Sequence, residues 1–149
     1  MDNNITNTLP ENDFKFGHIT IKKEIVFYHR RFVFAFTNLR PFVPGHILLC
    51  PVRPEKKFCN LTETEVMEMW ISARNISDNL KKYYQTDSVN ISIQDGEAAG
   101  QTVEHCHIHL MPLQNNYVNK AIDDSHRSSR TIEEMIAEAE EYRKCFIFN

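Results

Sequence analysis

The chain has 149 residues, of which 42% are hydrophobic, 11% aromatic and 25% charged. This composition is typical of one globular domain and excludes a fibrous repeat or a wholly disordered chain. The net charge of −3 disfavours a general nucleic-acid-binding role, because the phosphate backbone attracts basic surfaces.

The first 13 residues are rich in Asn and Thr and have no periodic apolar pattern, which predicts a flexible N-terminal tail over residues 1–13. This segment lacks the basic start and the apolar run of a signal peptide. No window of the chain approaches the roughly 18 apolar residues of a membrane span. The four cysteines are scattered and form no C-x-x-C pair, so we interpret them as reduced, buried thiols. We therefore expect a soluble, cytoplasmic protein.

Four short segments after the tail have the composition of β-strands, at residues 18–23, 24–29, 32–38 and 46–52. The alternation of apolar and polar residues is clearest in the third segment, where three phenylalanines share one face with Asn38. Two prolines and Gly45 indicate a turn before the fourth segment. We predict that these strands are neighbours in an antiparallel sheet.

The longest predicted helix begins at Thr62. Thr62 and Glu65 have the spacing of a capping box, in which each side chain accepts a hydrogen bond from the other residue's backbone N–H. Apolar residues then recur at three- and four-residue spacing, which predicts a helix ending near Tyr84 with one face on the core. A second capping box at residues 131–134 predicts a C-terminal helix.

A further strand is predicted at residues 88–94, with Asn90, Ser92 and Gln94 on one face. A connection that contains glycine leads from it to a histidine-rich strand, predicted over residues 103–111. Residues 114–130 are polar and aperiodic, which predicts a mobile surface loop.

Three histidines, His105, His107 and His109, recur at every second position. Because alternate side chains of a strand share a face, we expect three imidazoles in a row, about 6.5–7 Å apart. The intervening residues are apolar and should pack inward: Cys106, Ile108 and Leu110. Three histidines at this spacing are improbable by chance, so the pattern predicts a functional surface.

Two kinds of chemistry fit the three histidines. Neutral imidazoles are zinc ligands, but a metal shared by His105 and His109 on one strand is awkward, and no well-spaced acidic residue accompanies them. Alternatively, one imidazole attacks phosphorus while its neighbours orient it and donate hydrogen bonds to the phosphoryl oxygens. An imidazole titrates near pH 6.5 and is therefore largely unprotonated at pH 7. We favour the nucleophile.

The distribution of glycine supports a phosphate site. The chain has only 4 glycines, below the average of about 7%, and two of them, Gly96 and Gly100, lie in the segment that leads into the three histidines. Gly45 directly precedes His46, and Gly100 precedes Gln101 and Thr102. Bends whose successive N–H groups point inward suit anions, and the last two side chains add an amide and a hydroxyl donor.

The segment HCHIHLM at 105–111 resembles the signature of the histidine triad (HIT) superfamily, and QDGEAAGQTVEHCHIHLMP resembles its fragile histidine triad branch in particular. Four other segments are similar to that branch in order and spacing: FKFG at 14–17, N-x-R-P-x-V-P-G-H-I-L at 38–48, PVRPEKKF at 51–58 and EEMIAEAEEYR at 133–143. The related phosphoramidase branch usually ends in a Trp-Pro-Pro-Gly type tail, whereas this chain ends in CFIFN. The resemblance covers nearly all of the chain after the tail and predicts a single HIT domain over residues 14–149.

The resemblance implies an α+β fold, with an antiparallel sheet of about five strands, a long central helix and a C-terminal helix, in a homodimer. It implies a bis(5'-adenosyl)-triphosphatase, a hydrolase that cleaves diadenosine triphosphate to AMP and ADP through a covalent adenylyl-histidine intermediate. The expected partner is a small nucleotide substrate, with no nucleic acid and no membrane. No cofactor is expected to be essential, although Mg²⁺ or Mn²⁺ on the substrate phosphates can stimulate the reaction.

The resemblance also assigns the site. His107 is the nucleophile, His105 and His109 flank it, His109 binds the α-phosphate, and His46 supports and orients the nucleophile. Two groups of substrate-binding residues follow, Asn38 and Gln94 at the nucleoside and Gly100, Gln101, Thr102 and Val103 at the phosphates and the leaving group.

Three alternative functions share the same residues: a nucleoside phosphoramidase, an adenylylsulfate-cleaving HIT enzyme, and a nucleotide-binding signalling module with slow turnover. The chain also departs from the branch. Ile19 stands where a histidine is expected, with His18 one place earlier on the opposite strand face. The loop at 114–130 is shorter and lacks the tyrosine of the branch's animal proteins in register, so no signalling role attached to that loop is transferred.

Overall fold

The structure, a computed structural model, describes residues 7–115 and 127–148. Residues 1–6 of the predicted tail and most of the predicted loop at 114–130 therefore lie outside the described residues. The strands and α-helices are, in chain order, β1 (Phe14–Phe16), β2 (Ile19–Ile21), β3 (Val26–His29), β4 (Val33–Thr37), β5 (Ile47–Pro51), α1 (Glu63–Tyr84), β6 (Ser88–Ile93), β7 (Ile108–Leu113) and α2 (Ile132–Cys145).

Strands β3 to β7 form one antiparallel sheet in the spatial order β3-β4-β5-β7-β6, while β1 and β2 form a separate hairpin. Strands β3, β4 and β5 are neighbours both in sequence and in the sheet, as the short connections between them predict. The prediction is wrong for the segment at 18–23, because its strand β2 pairs with β1 and is not part of the five-stranded sheet. β7 lies between β5 and β6 and pairs antiparallel with both. The predicted α+β fold with a five-stranded antiparallel sheet is confirmed.

Both predicted capping boxes are present. The Thr62 hydroxyl accepts from the Glu65 N–H at 3.2 Å, and the Thr131 hydroxyl accepts from the Glu134 N–H at 3.2 Å. Helix α1 ends at Tyr84, as predicted, and Gln85 closes it in the left-handed conformation with a φ of 52°. Local capping chemistry therefore accounts for where both helices begin.

The central strands β4 and β5 are buried on both faces, whereas the edge strand β6 is exposed or half-buried along its length. Alternate strand residues on one face pack against α1, including Ala35, Leu49 and Leu110. The other face carries Phe34, Phe36 and several more apolar side chains, which pack with the β1–β2 hairpin and with Met135 of α2. Because side chains alternate between the faces, the hydrogen-bonded pair Phe36 and Leu48 shares this second face with His109. His109 therefore lies on the sheet face opposite α1.

The cysteine prediction is wrong in part. All four cysteines are free, and Cys50 and Cys106 are buried as expected, but Cys59 and Cys145 are exposed. Their side chains lie outside the two apolar clusters, in the segment before α1 and at the end of α2. Among the described residues, no helix is long and apolar enough to cross a membrane.

The described part of the predicted tail contacts the rest of the fold. The Asn7 side chain donates to the backbone carbonyls of Arg143 and Phe146, both at 3.2 Å. The Asp13 carboxylate accepts from the Lys23 N–H at 2.9 Å. Whether residues 1–13 are flexible in solution stays a prediction, as does the domain boundary at residue 14.

Candidate active site

The histidine-rich segment leaves the sheet before its first two histidines. β7 begins only at Ile108, so His109 alone lies on the strand, and the predicted row of three imidazoles on one strand is wrong. Upstream of β7 the Cys106 N–H donates to the Glu55 carbonyl at 2.7 Å, outside the ladder. The rings of His107 and His109 are consequently closer than predicted, with centroids 4.8 Å apart.

The inward packing of the intervening residues is confirmed, since Cys106 is 1% exposed and Ile108 and Leu110 are fully buried. These three side chains belong to the apolar cluster under α1. They hold the segment against the sheet from one side while the histidines occupy the other.

His105 is held by backbone groups at both ring nitrogens. The Gly17 N–H donates to His105 Nδ1 at 3.0 Å, which places the proton on Nε2, and Nε2 donates to the Pro51 carbonyl at 2.8 Å. The side chain is fully buried, and burial lowers the pKa of His105 from its ordinary value. His105 is therefore a neutral imidazole that ties the β1–β2 turn and the end of β5 to the histidine segment.

The tautomer of His107 is set by its neighbour's carbonyl. His107 Nδ1 lies 2.7 Å from the His105 oxygen, and a carbonyl only accepts, so Nδ1 carries the proton and Nε2 carries a lone pair. Phe16 packs edge-on against the ring, with centroids 4.9 Å apart and an angle of 86°. Burial lowers the pKa of His107, so the imidazole is neutral at pH 7. The arrangement supplies an oriented nitrogen nucleophile.

His46 and His109 form a second hydrogen-bonded pair. The Phe42 N–H donates to His46 Nδ1 at 3.1 Å, so the His46 proton is on Nε2, which donates to His109 Nδ1 at 3.0 Å. In the neutral pair, His109 then carries its own proton on Nε2 and is a donor there. Burial, together with the neighbouring His109 and Arg127, lowers the pKa of His46 to about 3.

The resemblance assigns His46 to orient the nucleophile. Its hydrogen bond goes to His109, and the ring centroids of these two residues are 5.2 Å apart. Any effect of His46 on the position of His107 therefore passes through His109.

Asn38 and Gln94 lie at strand ends on either side of the histidines. Asn38 follows β4, and its Nδ2 lies 3.3 Å from His46 Nδ1. The ladder between β6 and β7 ends at the pair Ile93 and Ile108, so Gln94 and His107 are the first residues beyond it. That Asn38, Gln94 and the histidines present their polar side chains to one site stays a prediction.

The loop between β6 and β7 closes over Gln94 through a glycine. Gly100 has a φ of +95°, and a Cβ there would lie 2.6 Å from Gln94 Nε2. The left-handed conformation requires glycine at this position, and a Cβ there would also displace the end of the Gln94 side chain.

Gln101 braces this loop. Its side chain is buried, with Oε1 accepting from the Gly96 N–H at 2.8 Å and Nε2 donating to the Lys56 and Val103 carbonyls, both at 3.1 Å. Thr102 is exposed, and Val103 packs with the phenylalanine face. Of the residues assigned to the phosphate side, Gly100 and Thr102 therefore lie on the open surface, while Gln101 has its amide bonded to backbone groups.

Sequence reasoning missed the groups that fix the imidazoles. These groups belong to the backbone: they are the N–H groups of Gly17 and Phe42 and the Pro51 carbonyl. The side-chain type at a position does not indicate how its backbone groups are bonded. The one indication in the sequence was that Gly17 and Phe42 lie in two segments that resemble the family, FKFG and N-x-R-P-x-V-P-G-H-I-L.

A shared zinc site is poorly matched by these histidines. Both nitrogens of His105 bond to backbone groups, and they would have to leave them to bind a metal. Within residues 7–115 and 127–148, no group of three His, Cys, Asp or Glu side chains is placed to hold a metal ion. The expectation that no metal is essential stays a prediction.

Comparison with known proteins gives a consistent set of relatives. The family model for the HIT domain matches residues 20–116. An Arabidopsis thaliana protein named bifunctional bis(5'-adenosyl)-triphosphatase/adenylylsulfatase FHIT is 35% identical over 153 residues, covering 91% of this chain and 85% of that protein. A Dictyostelium discoideum bis(5'-adenosyl)-triphosphatase is 37% identical over 137 residues, with 88% and 91% covered. The crystal structure of Plasmodium falciparum diadenosine triphosphate hydrolase in complex with cyclomarin A is 30% identical, with a TM-score of 0.82, and 93% and 86% covered.

Proposed function

Because the chain belongs to the HIT domain family, in its fragile histidine triad branch, we propose that it is a dinucleoside polyphosphate hydrolase that cleaves diadenosine triphosphate into AMP and ADP. Relatives named bis(5'-adenosyl)-triphosphatase that match most of the chain support the reaction. The site geometry supports the route, which uses a covalent adenylyl-histidine intermediate on His107.

The single observation that carries this route is the hydrogen bond from His107 Nδ1 to the His105 carbonyl at 2.7 Å. It leaves the Nε2 lone pair available for attack. When Nε2 bonds to phosphorus, positive charge develops on the ring, and the same carbonyl then accepts from a more acidic N–H. Hydrogen bonds to charged groups are stronger than neutral ones, so this contact stabilises the adenylylated ring more than the free one.

In the first step, the Nε2 lone pair attacks the α-phosphorus. The new P–N bond forms as the P–O bond to the leaving group breaks, and the bond electrons leave with ADP. His109 is placed to donate its Nε2 proton as a hydrogen bond to an α-phosphate oxygen, which stabilises the charge on the oxygens. His46 holds His109 in the tautomer that makes this donation possible.

In the second step, a water molecule attacks the same phosphorus from the side that ADP has vacated. The P–N bond breaks, its electrons return to Nε2, the water proton passes to solvent, and AMP is released. Two in-line displacements replace one, and both depend on positioning and charge stabilisation.

The surrounding residues provide the proposed substrate contacts. Asn38 and Gln94 contact the nucleoside, and Gly100, Thr102 and the backbone near Val103 line the phosphate and leaving-group side, with Gln101 bracing their loop. No metal is required in this scheme, although Mg²⁺ or Mn²⁺ bound to the substrate phosphates would stimulate it. We further propose a cytoplasmic homodimer with no nucleic-acid or membrane partner.

A second activity has specific support. The Arabidopsis relative is named both a triphosphatase and an adenylylsulfatase, and adenylylsulfate presents the same adenylyl phosphorus with sulfate as the leaving group. The attack by His107 would be unchanged. We propose adenylylsulfate as an additional substrate, tested in the same assay by the release of AMP and sulfate.

The test of the proposed reaction is product analysis. The protein and its His107→Asn variant are each incubated with diadenosine triphosphate, and the products are separated by anion-exchange chromatography. His18→Asn is the matched control, because His18 is an exposed histidine in the turn of the β1–β2 hairpin.

We expect equal amounts of AMP and ADP from the wild type and from His18→Asn, and essentially none from His107→Asn. No products from the wild type would refute the hydrolase. Wild-type activity in His107→Asn would show that His107 is not the nucleophile.

A further inference from the structure

The end of strand β4 is fastened to the N-terminal end of helix α2 through Arg130. The guanidinium donates from both Nε, at 3.1 Å, and Nη2 to the backbone carbonyl of Asn38. The Arg130 backbone N–H donates to the Leu39 carbonyl at 2.9 Å. One residue before Asn38, the buried Thr37 hydroxyl donates to the Met135 carbonyl at 3.1 Å. Consecutive residues of this strand end are therefore bonded to the α2 region.

Arg130 is itself held in place by Glu138. Its Nη1 forms an ion pair with Glu138 Oε2, and the two side chains are only 23% and 13% exposed. Glu138 Oε1 accepts from the Tyr142 hydroxyl at 2.7 Å, and this hydroxyl is bonded to that of Tyr84 at 2.6 Å. A continuous set of hydrogen bonds thus runs from the packed tyrosines of both helices to the carbonyl of Asn38.

The position of Asn38 matters to the histidines. Its Nδ2 faces His46, and its Oδ1 accepts from the Arg40 N–H at 3.1 Å, which shapes the loop that follows. The same loop supplies the Phe42 N–H that fixes the tautomer of His46, and His46 in turn sets the tautomer of His109. A shift of the strand end would move both contacts to His46 together.

We infer that Arg130, locked by Glu138, is a positioning residue for the His46–His109 pair. It contacts neither imidazole and acts through the carbonyl of Asn38. The kinetic part of this inference rests on the proposed hydrolase function, because His109 is the proposed donor to the α-phosphate. The structural part does not, because the tautomers of His46 and His109 are properties of the free protein.

Arg143 provides a matched control at the other end of α2. Its Nη1 donates to the Glu24 and Val26 carbonyls at 3.2 and 2.8 Å. It therefore makes the same kind of contact, an arginine to backbone carbonyls, but at the start of β3 and away from the histidines. A role limited to docking the helix predicts that both arginines behave alike.

The test compares Arg130→Lys with Arg143→Lys. Lysine keeps the positive charge but lacks the planar fork that joins one carbonyl and one carboxylate at the same time. Glu138→Gln is the second variant, because it removes the charge that locks Arg130 while keeping an acceptor for Tyr142. Two readouts are taken for each protein, kcat on diadenosine triphosphate and the imidazole ¹⁵N chemical shifts of His46 and His109.

We expect Arg130→Lys to lower kcat by about 10- to 100-fold, the effect typical of a misplacement of about 1 Å, and to move the His46 and His109 shifts toward a mixture of tautomers. Glu138→Gln should change both readouts in the same direction. The double variant, Arg130→Lys with Glu138→Gln, should have the same kcat and the same shifts as Arg130→Lys, because the two residues act as a unit. Arg143→Lys should leave both readouts at wild-type values.

Wild-type ¹⁵N shifts in Arg130→Lys would overturn the inference, and so would equal changes in Arg143→Lys. An unchanged kcat alongside altered shifts would overturn its kinetic part. If the wild type does not hydrolyse the substrate, the proposed function fails, and the ¹⁵N shifts still decide whether Arg130 positions the pair.

Discussion

Three of the four imidazoles at the site, those of His105, His107 and His46, take their tautomers from backbone groups, and His109 takes its tautomer from His46. The N–H groups of Gly17 and Phe42 donate to Nδ1 of His105 and of His46, so these nitrogens carry lone pairs. The carbonyls of Pro51 and His105 accept from His105 Nε2 and His107 Nδ1, so these nitrogens carry protons. A folded backbone cannot exchange these roles, since an N–H only donates and a carbonyl only accepts. The histidines therefore differ in chemistry although they have the same side chain.

The pH dependence of the reaction follows from the burial of His107. Burial lowers its pKa below the ordinary 6.5, so the nucleophile stays neutral as the pH falls through that value. We predict that kcat/KM for diadenosine triphosphate is nearly flat from pH 8 to 6.5 and is lost only at a pH below the ordinary pKa of 6.5. A loss of activity centred at or above pH 6.5 would contradict this.

The stability of the fold should also fall in acid, through His46. An unfolded chain takes up a proton on this residue near pH 6.5, whereas the folded protein resists protonation until about pH 3. Between these values the unfolded state binds more protons, so the free energy of unfolding decreases as the pH falls, by about 1.4 kcal/mol per pH unit for one such histidine.

Chemical denaturation at several pH values tests this for the wild type and for His46→Gln. Between pH 6 and 4, we expect the slope of the unfolding free energy against pH to be smaller in His46→Gln by about 1.4 kcal/mol per pH unit. The contributions of His105 and His107 to the slope should remain. Equal slopes for the two proteins would contradict the account.

At the scale of elements, the helices illustrate what local sequence determines. The Thr131 hydroxyl accepts from the Glu134 N–H, and the Glu134 carboxylate accepts from the Thr131 N–H at 2.9 Å. All the atoms involved lie within four residues, which is why the pattern predicted the start of α2 correctly. The same holds for α1.

Removing the cap of α2 should destabilise the protein measurably. Thr131→Ala loses the acceptor for one helix N–H, and we predict a loss of about 0.5–2 kcal/mol in the free energy of unfolding. Thr64→Ala is the control, because Thr64 is an exposed threonine in the first turn of α1 that does not cap it. Equal unfolding free energies for the two variants would contradict the predicted role of the cap.

The start of β7 illustrates what local sequence does not determine. The alternation of His105, His107 and His109 is typical of a strand, and it predicted one from residue 103. The backbone of Cys106 instead bonds to Glu55, and His105 bonds to Gly17, a residue 88 positions away. These partners are distant in sequence, so the period of the pattern contains no information about them.

At the scale of the molecule, short β-type segments and two capped helices were predictable from residue patterns, while their combination into an α+β fold with a five-stranded sheet was implied by the family resemblance. The role of the ten phenylalanines was open, since they suit a core or an interface equally. In the structure every one of them is buried or half-buried. The exposed large apolar side chains are of other types, among them Met67 and Trp70 on α1, which are 61% and 40% exposed.

The homodimer remains a prediction of the family resemblance. Sedimentation equilibrium should give a species of twice the chain mass of 17.5 kDa at micromolar concentration. A single species at the mass of one chain would contradict the dimer without affecting the proposed chemistry.

The central claim is that His107 Nε2 becomes bonded to the α-phosphorus of the substrate. The most direct measurement is rapid mixing of the protein with diadenosine triphosphate that carries ³²P at its α-phosphorus, followed by a quench in alkali, in which a P–N bond to histidine survives. We predict protein-bound label on the peptide that contains His107, lost on later treatment with acid and absent from His107→Asn. Turnover by the wild type with no bound label at any time, or equal label in His107→Asn, would contradict the account.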